Sequence, residues 1–522
     1  MSKLRTHDCY QAFEQRIAHT KRWAMGAVPS IAGYSRSCVV HRFIQRCVEL
    51  TLPAYMRICI EMHKHDRKLP DLTASLNCGG AHLLGNGSVG LTLSVFTRNF
   101  IVFLLVWARA LSAAIKGTLS SNRTLTPYKA ALVYGVAADS LFVKGSDRCF
   151  LEYCRRGRIS PLAEAEYLVV QAGRPIVSSH PGHVCYAQDP LEAVARMNGF
   201  SPEICWQFIL LHCRVLLDFI ILLWRNPALC LLGRDLAQHA LVWALSQNGS
   251  ISHVIQTNSN YMSQPLWMRK RPEKKFSTHM VWYSQNSAPI ISTHDPIAAP
   301  LPNFRHIDVD HMWVWTEGFR EFLFGLGCNA EFHVVGPIVW QIPESVPRKK
   351  NQSIKIAVFD VAPLPISVGE KIGLVWNYYC NETAMNFIQD IVAAKNELDK
   401  LVLHKINIVL KHKRIHTDVR DDNYIDFVDF LSRSGDIEKV PPDANIYGLI
   451  NSCDIVIIMP YSSPAYIASE LGKQSIYYDP TGAVIPTYER QPCLRFVSGR
   501  AQLTTVLMEL CEKINLEWEQ QR

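Results

Sequence analysis

From Leu236 onward the chain repeats one pattern: a short apolar run, a polar tail, then a helical stretch. His253–Thr257 (HVIQT) runs into Asn258-Ser259-Asn260, and His279–Tyr283 (HMVWY) runs into Ser284-Gln285-Asn286-Ser287. His311–Trp315 (HMWVW) leads into a helix over Thr316–Leu326 closed by Gly327, and Glu331–Val335 (EFHVV) ends at Gly336-Pro337. The rhythm returns after Ser353 with the strands IKIAVF, INIVL, DIVIIM and SIYY, separated by helices over Glu382–Lys400, Asp421–Ser434, Ala444–Ser452 and Ala465–Gly472. Runs that are apolar throughout fit strands covered on both faces, and alternation with helices makes the sheets parallel. Polar tails at the strand ends fall where a doubly wound sheet binds ligands, outside its carboxyl edge. The expected fold class is therefore α/β, with two Rossmann-like parallel-sheet domains and a helical N-terminal extension.

At ~100–200 residues per domain, 522 residues suit two or three domains. The divisions expected are a partly helical extension over 1–127, a first α/β domain over 128–341, a Pro- and Lys-rich linker over 342–353, and a second α/β domain over 354–522. Within the first domain, Ala130–Val136 reads as a strand, and Leu162–Gln171, Asp189–Asn198 and Leu236–Ser246 read as helices. SIYY reads as the last strand and Gln502–Trp518 as the closing helix. The Gly-rich stretch Asn77–Gly90 has neither Walker nor GxGxxG spacing and reads as a loop.

An apolar fraction of 48% with 19% charged residues excludes a disordered, collagen-like or coiled-coil chain. The net charge of +8 is mild and undivided, which suits nucleotides, phosphorylated sugars or an acidic membrane surface and argues against nucleic acid. The 16 cysteines include no CxxC, so they read as buried thiols in a reducing compartment and not as zinc ligands. The polar N-terminus shows no secretory signal, and the expected location is cytoplasmic.

Two apolar stretches bear on membrane contact. Phe100–Ile115 is bracketed at its greasiest part by Arg98 and Arg109, too short for a span. Trp206–Leu232 carries Gln207, Arg214, Asp218 and Arg225 on one narrow helical stripe, with Leu, Ile, Phe and Trp over most of the rest. It fits a packing helix or a helix lying in the plane of a bilayer, and a peripheral place at the inner face of the plasma membrane goes with the latter. Pro227 should end it near Arg225.

Two short segments carry the chemistry. Lys411-His412-Lys413-Arg414 follows directly on the strand INIVL, which makes either an exposed basic turn or an anion site. In Pro460-Tyr461-Ser462-Ser463-Pro464 the strand DIVIIM stops and a helix begins, with Ser463 suited to the N-cap and Pro464 to the first helical position. Such a start offers free N–H groups and hydroxyls to a phosphate. Glu470, two turns on, suits a ribose or sugar hydroxyl.

The segments IVLKHKR and VPPDANIYGLINSCDIVIIMPYSSPAYIASELGKQSIYYDPTG resemble the nucleotide-sugar half of GT-B glycosyltransferases of bacterial surface-polysaccharide (capsule) biosynthesis, those using CMP-activated Kdo or sialic acid nearest. The likeness runs loosely over Asp235–Gly336 as well. It implies an inverting transfer from a nucleotide sugar, with CMP the nearest carrier, to a glycan or lipid-linked acceptor. It further implies that Lys411 and His412, with Arg414, and Tyr461, Ser462 and Ser463, with Glu470, hold the donor, and that no metal or other cofactor takes part. A base on the acceptor side is required. Asp235, which suits an N-cap equally, His239 one turn later, and Glu317 are the candidates, with the polar strand ends Asn258, Asn260, Gln285 and Asn286 placed for acceptor hydroxyls. Asp308-Val309-Asp310 has DxD form but lies outside the nucleotide half. A sugar-nucleotide epimerase and a non-catalytic polysaccharide-assembly protein of the same fold are the alternatives.

Overall fold

A computed structural model describes residues 2–28, 30, 33–64, 81–83, 89–120, 127–136, 159, 165–172, 184–257, 263–269, 274–282, 291–293, 304–337, 353–361, 363, 378–402, 404–412, 422–442, 444–487 and 491–520. Two helices, α1 (Ser2–Ala27) and α2 (Arg36–Lys64), precede a small antiparallel hairpin of β1 (Ala81–Leu83) and β2 (Val89–Leu91), and α3 (Leu93–Ser120) follows. The first large sheet has seven strands, all parallel, in the order β5-β4-β3-β6-β7-β8-β9. They are β3 (Ala130–Tyr134), β4 (Tyr167–Gln171), β5 (Val184–Ala187), β6 (Ile251–Thr257), β7 (Ser277–Val281), β8 (His311–Val314) and β9 (Glu331–Val334). Between β5 and β6 run α4 (Pro190–Asn198), α5 (Pro202–Arg225) and the helices Gly233–Ala237 and His239–Gln247.

The second sheet has six parallel strands in the order β12-β11-β10-β13-β14-β15: β10 (Ile354–Phe359), β11 (Ile406–Lys411), β12 (Glu438–Val440), β13 (Ile455–Ile458), β14 (Gln474–Asp479) and β15 (Leu494–Ser498). The α/β class with two parallel sheets and N-terminal helices is as expected. Each sheet reverses its strand order once, between β3 and β6 in the first and between β10 and β13 in the second. At such a switch point the flanking loops part in opposite directions and leave a crevice at the carboxyl edge.

One face of the first sheet (Ala130, Leu132, Val169, Val254) is covered by α4 and shares one core with Phe43 of α2 and Phe103 of α3, which pack on the helices between β5 and β6. Its other face (Ala131, Val133, Ile255, Trp313) is continuous with the core of the second sheet. In their described portions the first 127 residues are thus largely helical, as expected, and part of the first unit's shell. An antiparallel bridge joins the two units: Thr293 N donates to Ala483 O and Ile485 N to Ile291 O, both at 2.8 Å, around the pair Ser292 and Val484.

Four readings change. The stretch Asn77–Gly90 is not all loop, since Ala81–Leu83 and Val89 and Gly90 belong to the β1/β2 hairpin. Leu162–Gln171 is not a helix where it is described: Tyr167–Gln171 is β4, because Tyr-Leu-Val-Val suits a strand buried between two neighbours. SIYY is not the last strand, since β15 follows it. The helix read over Leu236–Ser246 is interrupted, one piece ending at Ala237 and the next starting at His239. Pro227 does end α5, at Arg225, and Asn226 caps the following 3-10 turn through Oδ1. The linker lies outside the described residues, apart from Ser353.

Candidate active site

The switch point of the second sheet lies at the carboxyl ends of β10 and β13, and the expected donor residues gather beside it. β13 runs into Pro460-Tyr461-Ser462-Ser463. Tyr461 has φ 65°, the one non-glycine residue with positive φ among the described residues. An L-residue with a bulky side chain pays about 1–3 kcal/mol for that conformation, which persists only where the surroundings fix it. Here tyrosine hydroxyls fix it. Tyr461 Oη donates to Ile485 O (2.8 Å) and accepts from Thr487 N (2.9 Å). Tyr379 Oη donates to Pro460 O (2.8 Å), and Tyr477 Oη donates to Ser462 O (3.1 Å).

Ser463 stands at the N-cap of the helix Pro464–Glu470 and Pro464 at its first position, as expected, but the Ser463 hydroxyl makes no capping bond. Ser462 is buried. Glu470 is the last residue of that helix, exposed and about 10 Å along its axis from Ser463. A helix between parallel strands runs back toward the amino edge, so Glu470 is carried away from Ser463 and the pairing expected of the two is corrected.

At the end of β11, Lys411 and His412 are both buried. Lys411 Nζ donates to the carbonyl of Pro442. His412 Nδ1 donates to Asp360 Oδ2 at 2.6 Å, and Tyr424 Oη donates to the same oxygen at 2.9 Å. Asp360 directly follows β10, the other strand of the switch point, and is itself buried. A carboxylate that takes the Nδ1 proton fixes the ring and its tautomer and leaves Nε2 as the working nitrogen. Arg414 lies outside the described residues.

The loop after β14 ties this edge to the first unit. Buried Asp479 accepts from Tyr378 Oη (3.0 Å), Thr481 N (2.9 Å) and Val484 N (2.9 Å), which shapes the loop that reaches Thr487 and Tyr461. Across the gap, Thr316 Oγ1 caps the helix Glu317–Gly325, whose start follows β8. A Cβ on Gly318 would lie 3.9 Å from Thr487 O. Glu317 therefore opens its helix at the junction of the two units, where its half-exposed carboxylate pairs with Arg320 at 2.8 Å.

The other two candidate bases stand elsewhere. Asp235 is buried, with Oδ2 accepting from Arg42 Nε (2.6 Å) and Leu266 N (2.9 Å). Burial pushes its pKa up, but the Arg42 charge and hydrogen bond outweigh that and hold it below the ordinary aspartate value. Burial likewise pushes the Arg42 guanidinium down, and Asp235 and Glu49 more than reverse it. A carboxylate so paired is a weak proton acceptor, which moves Asp235 from base to structural ion pair. His239 is buried, with Nδ1 3.0 Å from Tyr34 Oη. Asp310 of the DxD sequence is bonded to Thr278 N (2.8 Å) and Lys274. Asn258, Asn260, Gln285 and Asn286 lie outside the described residues. Of the described residues, His311, Glu331 and His333 are close enough to share a metal ion; His311 and Glu331 start β8 and β9 at the amino edge, and His333 lies two residues further along β9.

Sequence reading missed Asp360, Tyr424 and Asp479. Asp360 and Asp479 carry one usable signal, an acid directly at a strand's end; Tyr424 carries none.

A family model described as "Polysaccharide biosynthesis PFTS motif protein" matches residues 215–507, more than half of the chain. The chain belongs to this family. No curated protein matches the sequence. Among solved structures, this PFTS protein is similar to the wall teichoic acid polymerase TagF, with 12% identity over 82% of this chain and 92% of that one, at a TM-score of 0.39. It is also similar to the E. coli structure described as trehalose-6-phosphate bound with UDP-2-fluoro glucose (10%, 76% and 96%, 0.38). A third is the lipopolysaccharide outer core galactosyltransferase WaaB in its apo form (9%, 74% and 90%, 0.36). At this distance the likenesses say nothing about substrate. The narrower likeness to enzymes using CMP-activated Kdo or sialic acid finds no support in these matches.

Proposed function

We propose that this PFTS protein is a GT-B-type glycosyltransferase that moves a sugar, with inversion and without a metal, from a nucleotide-activated donor to a glycan or lipid-linked acceptor. The observation that carries this reading is the Tyr461 turn. It is a strained, hydroxyl-bearing turn at the switch point of one sheet, clamped by a loop that also touches the start of the Glu317 helix on the other. Ser462, Ser463 and Lys411 hold the donor phosphate, with His412 oriented toward it by Asp360. Of the three bases expected, Glu317 suits the geometry best, since its pair with Arg320 is solvent-exposed whereas the pair that holds Asp235 is buried. It takes the proton from the acceptor hydroxyl, whose oxygen bonds to the anomeric carbon. The bond from that carbon to the phosphate oxygen breaks, and its electron pair leaves with the nucleotide.

The test incubates the purified chain with a panel of nucleotide sugars and measures released nucleotide, with and without added glycan or lipid acceptors. Acceptor-dependent release supports the proposal. Conversion of the donor sugar with no nucleotide released makes the chain an epimerase. No turnover with any donor and acceptor makes it a non-catalytic assembly protein.

A further inference from the structure

The first sheet's switch point holds a cavity of about 510 Å³ beside Tyr134 and Gln171, the last residues of β3 and β4. Four arginines line it, Arg42, Arg46, Arg98 and Arg234, against two acids, Asp189 and Asp235. The acids are spent. Asp235 neutralises Arg42, while Asp189 caps α4 through Leu191 N (3.0 Å) and accepts from Gln238 Nε2 (3.1 Å). Arg46 is paired with Glu49. Arg98 and Arg234 have no ion pair and no side-chain hydrogen bond among the described residues. Two uncommitted guanidinium groups at one cavity fit a phosphate, which each can grip with two donors.

A second cavity, about 540 Å³, adjoins the first and shares Val102, Gln171, Asp189 and Arg234 with it. Its further wall is α3, through Leu105 and Val106. Leu105 is also 58% exposed, so the wall passes over its rim onto the outer surface. That surface is apolar. Leu119 of α3 is 81% exposed and Trp224 of α5 is 92% exposed, with Leu217 and Ile221 of α5 more than half exposed. The two helices form one ridge, joined by Phe103 on Phe219 with ring centroids 3.8 Å apart. Both are long and apolar enough to cross a bilayer, but their packing decides otherwise. The buried residues of α5 (Phe208, His212, Val215, Phe219, Leu222) follow one stripe along most of its length, and near the end of α3 a Cβ on Gly117 would meet Ala195 O at 2.0 Å. Helices seated lengthwise on a domain lie in a membrane's plane and do not span it. Helix α3 carries no acidic residue; of its cations Arg98 lines the cavity, Arg109 is paired with Glu192 at 2.8 Å, and exposed Lys116 is left to face anionic head groups.

We propose that the acceptor is a membrane lipid with a phosphate-bearing head. The head enters the Arg98–Arg234 cavity, and the hydrocarbon chain leaves over Leu105 into the bilayer on which the outer faces of α3 and α5 rest. This rests on the transferase reading above and assigns its acceptor and the acceptor's entry.

Vesicle flotation tests it, using phosphatidylcholine vesicles with and without a polyprenyl phosphate, and inorganic pyrophosphate as the soluble control. The wild-type chain should float with both vesicles, and ~10-fold more tightly with the polyprenyl phosphate, the scale of a charge-assisted contact. Leu217→Asp with Trp224→Asp, both at exposed positions, should abolish flotation while leaving the circular dichroism spectrum unchanged. Arg98→Ala with Arg234→Ala should float on plain phosphatidylcholine like wild type and lose the preference. A wild-type chain that stays in solution, a Leu217/Trp224 variant that still floats, or an arginine variant that keeps the preference would each overturn the proposal. So would pyrophosphate that binds as tightly as the lipid. Flotation reads no turnover, so a chain that floats as expected but releases no nucleotide would sink the transferase reading and with it the acceptor role, leaving a lipid site only, and one that releases nucleotide but does not float would sink this proposal alone.

Discussion

The two sheets end in switch points of opposite character. At the first, the acids are neutralised by arginine or spent on caps, and the excess is cationic around a preformed cavity. At the second, the backbone itself is strained at Tyr461 and an imidazole is held by a buried carboxylate. The difference teaches that one topology can serve two tasks. On the proposed reading the first edge recognises the charged group of the acceptor and the second holds the donor. Buried charge therefore does not by itself mark the chemistry here: Asp235 is as buried as Asp360, and only its partner, Arg42 and not a histidine, sets it apart.

The comparison breaks most sharply at the bases. Glu317→Gln should lower turnover by ~10²–10⁴-fold, the usual worth of a positioned base, with nucleotide affinity intact. Steady-state kinetics beside calorimetry reads both, and full turnover in this variant would return the role to another group. Asp235→Ala should act on folding instead. Loss of one partner from a buried ion pair costs about 3–5 kcal/mol, so chemical denaturation should register it. If stability were unchanged and only turnover fell, the assignment of Asp235 to structure would be mistaken.

A smaller effect separates the units by pH. Burial first, then His253 and His311, pushes His279 of β7 down to about 2. Its folded pKa lies below its unfolded one, so the unfolded chain takes up the proton first. The resulting stability is whole above about pH 6.5 and is lost as pH falls toward about 2. Between about pH 6 and 5 the chain should weaken by about 1.4 kcal/mol per pH unit from this group, and His279→Gln should flatten the slope. Parallel slopes in the two proteins would exclude His279 as the cause.

The second sheet was the more legible of the two. IKIAVF, INIVL and DIVIIM are buried on both faces and are apolar throughout, so each announces itself. Three of the strands that were missed, Val184–Ala187, Glu438–Val440 and Leu494–Ser498, lie at sheet edges, are half solvated or polar and carry no such run, whereas Tyr167–Gln171 is buried and apolar but was taken into a stretch read as helix. The N-terminal helices could not be placed because their partners are remote, as Arg42 with Asp235 shows across 193 positions. At the site, the serines and His412 stood out because they follow strand ends in clusters. Asp360 was invisible as a partner because it lies 52 positions from the histidine it orients. Asp235 was misjudged because nothing in its neighbourhood of sequence supplies the arginine that neutralises it.

The central claim is that the Tyr461 turn and His412 hold the donor nucleotide. Calorimetric titration of uridine, guanosine and cytidine nucleotides into the wild-type chain, Ser463→Ala and His412→Ala tests it directly. One nucleotide should bind the wild type, and each substitution should weaken it by ~1–3 kcal/mol, the worth of a hydrogen bond to a charged group. Unchanged affinity in both variants would contradict the account.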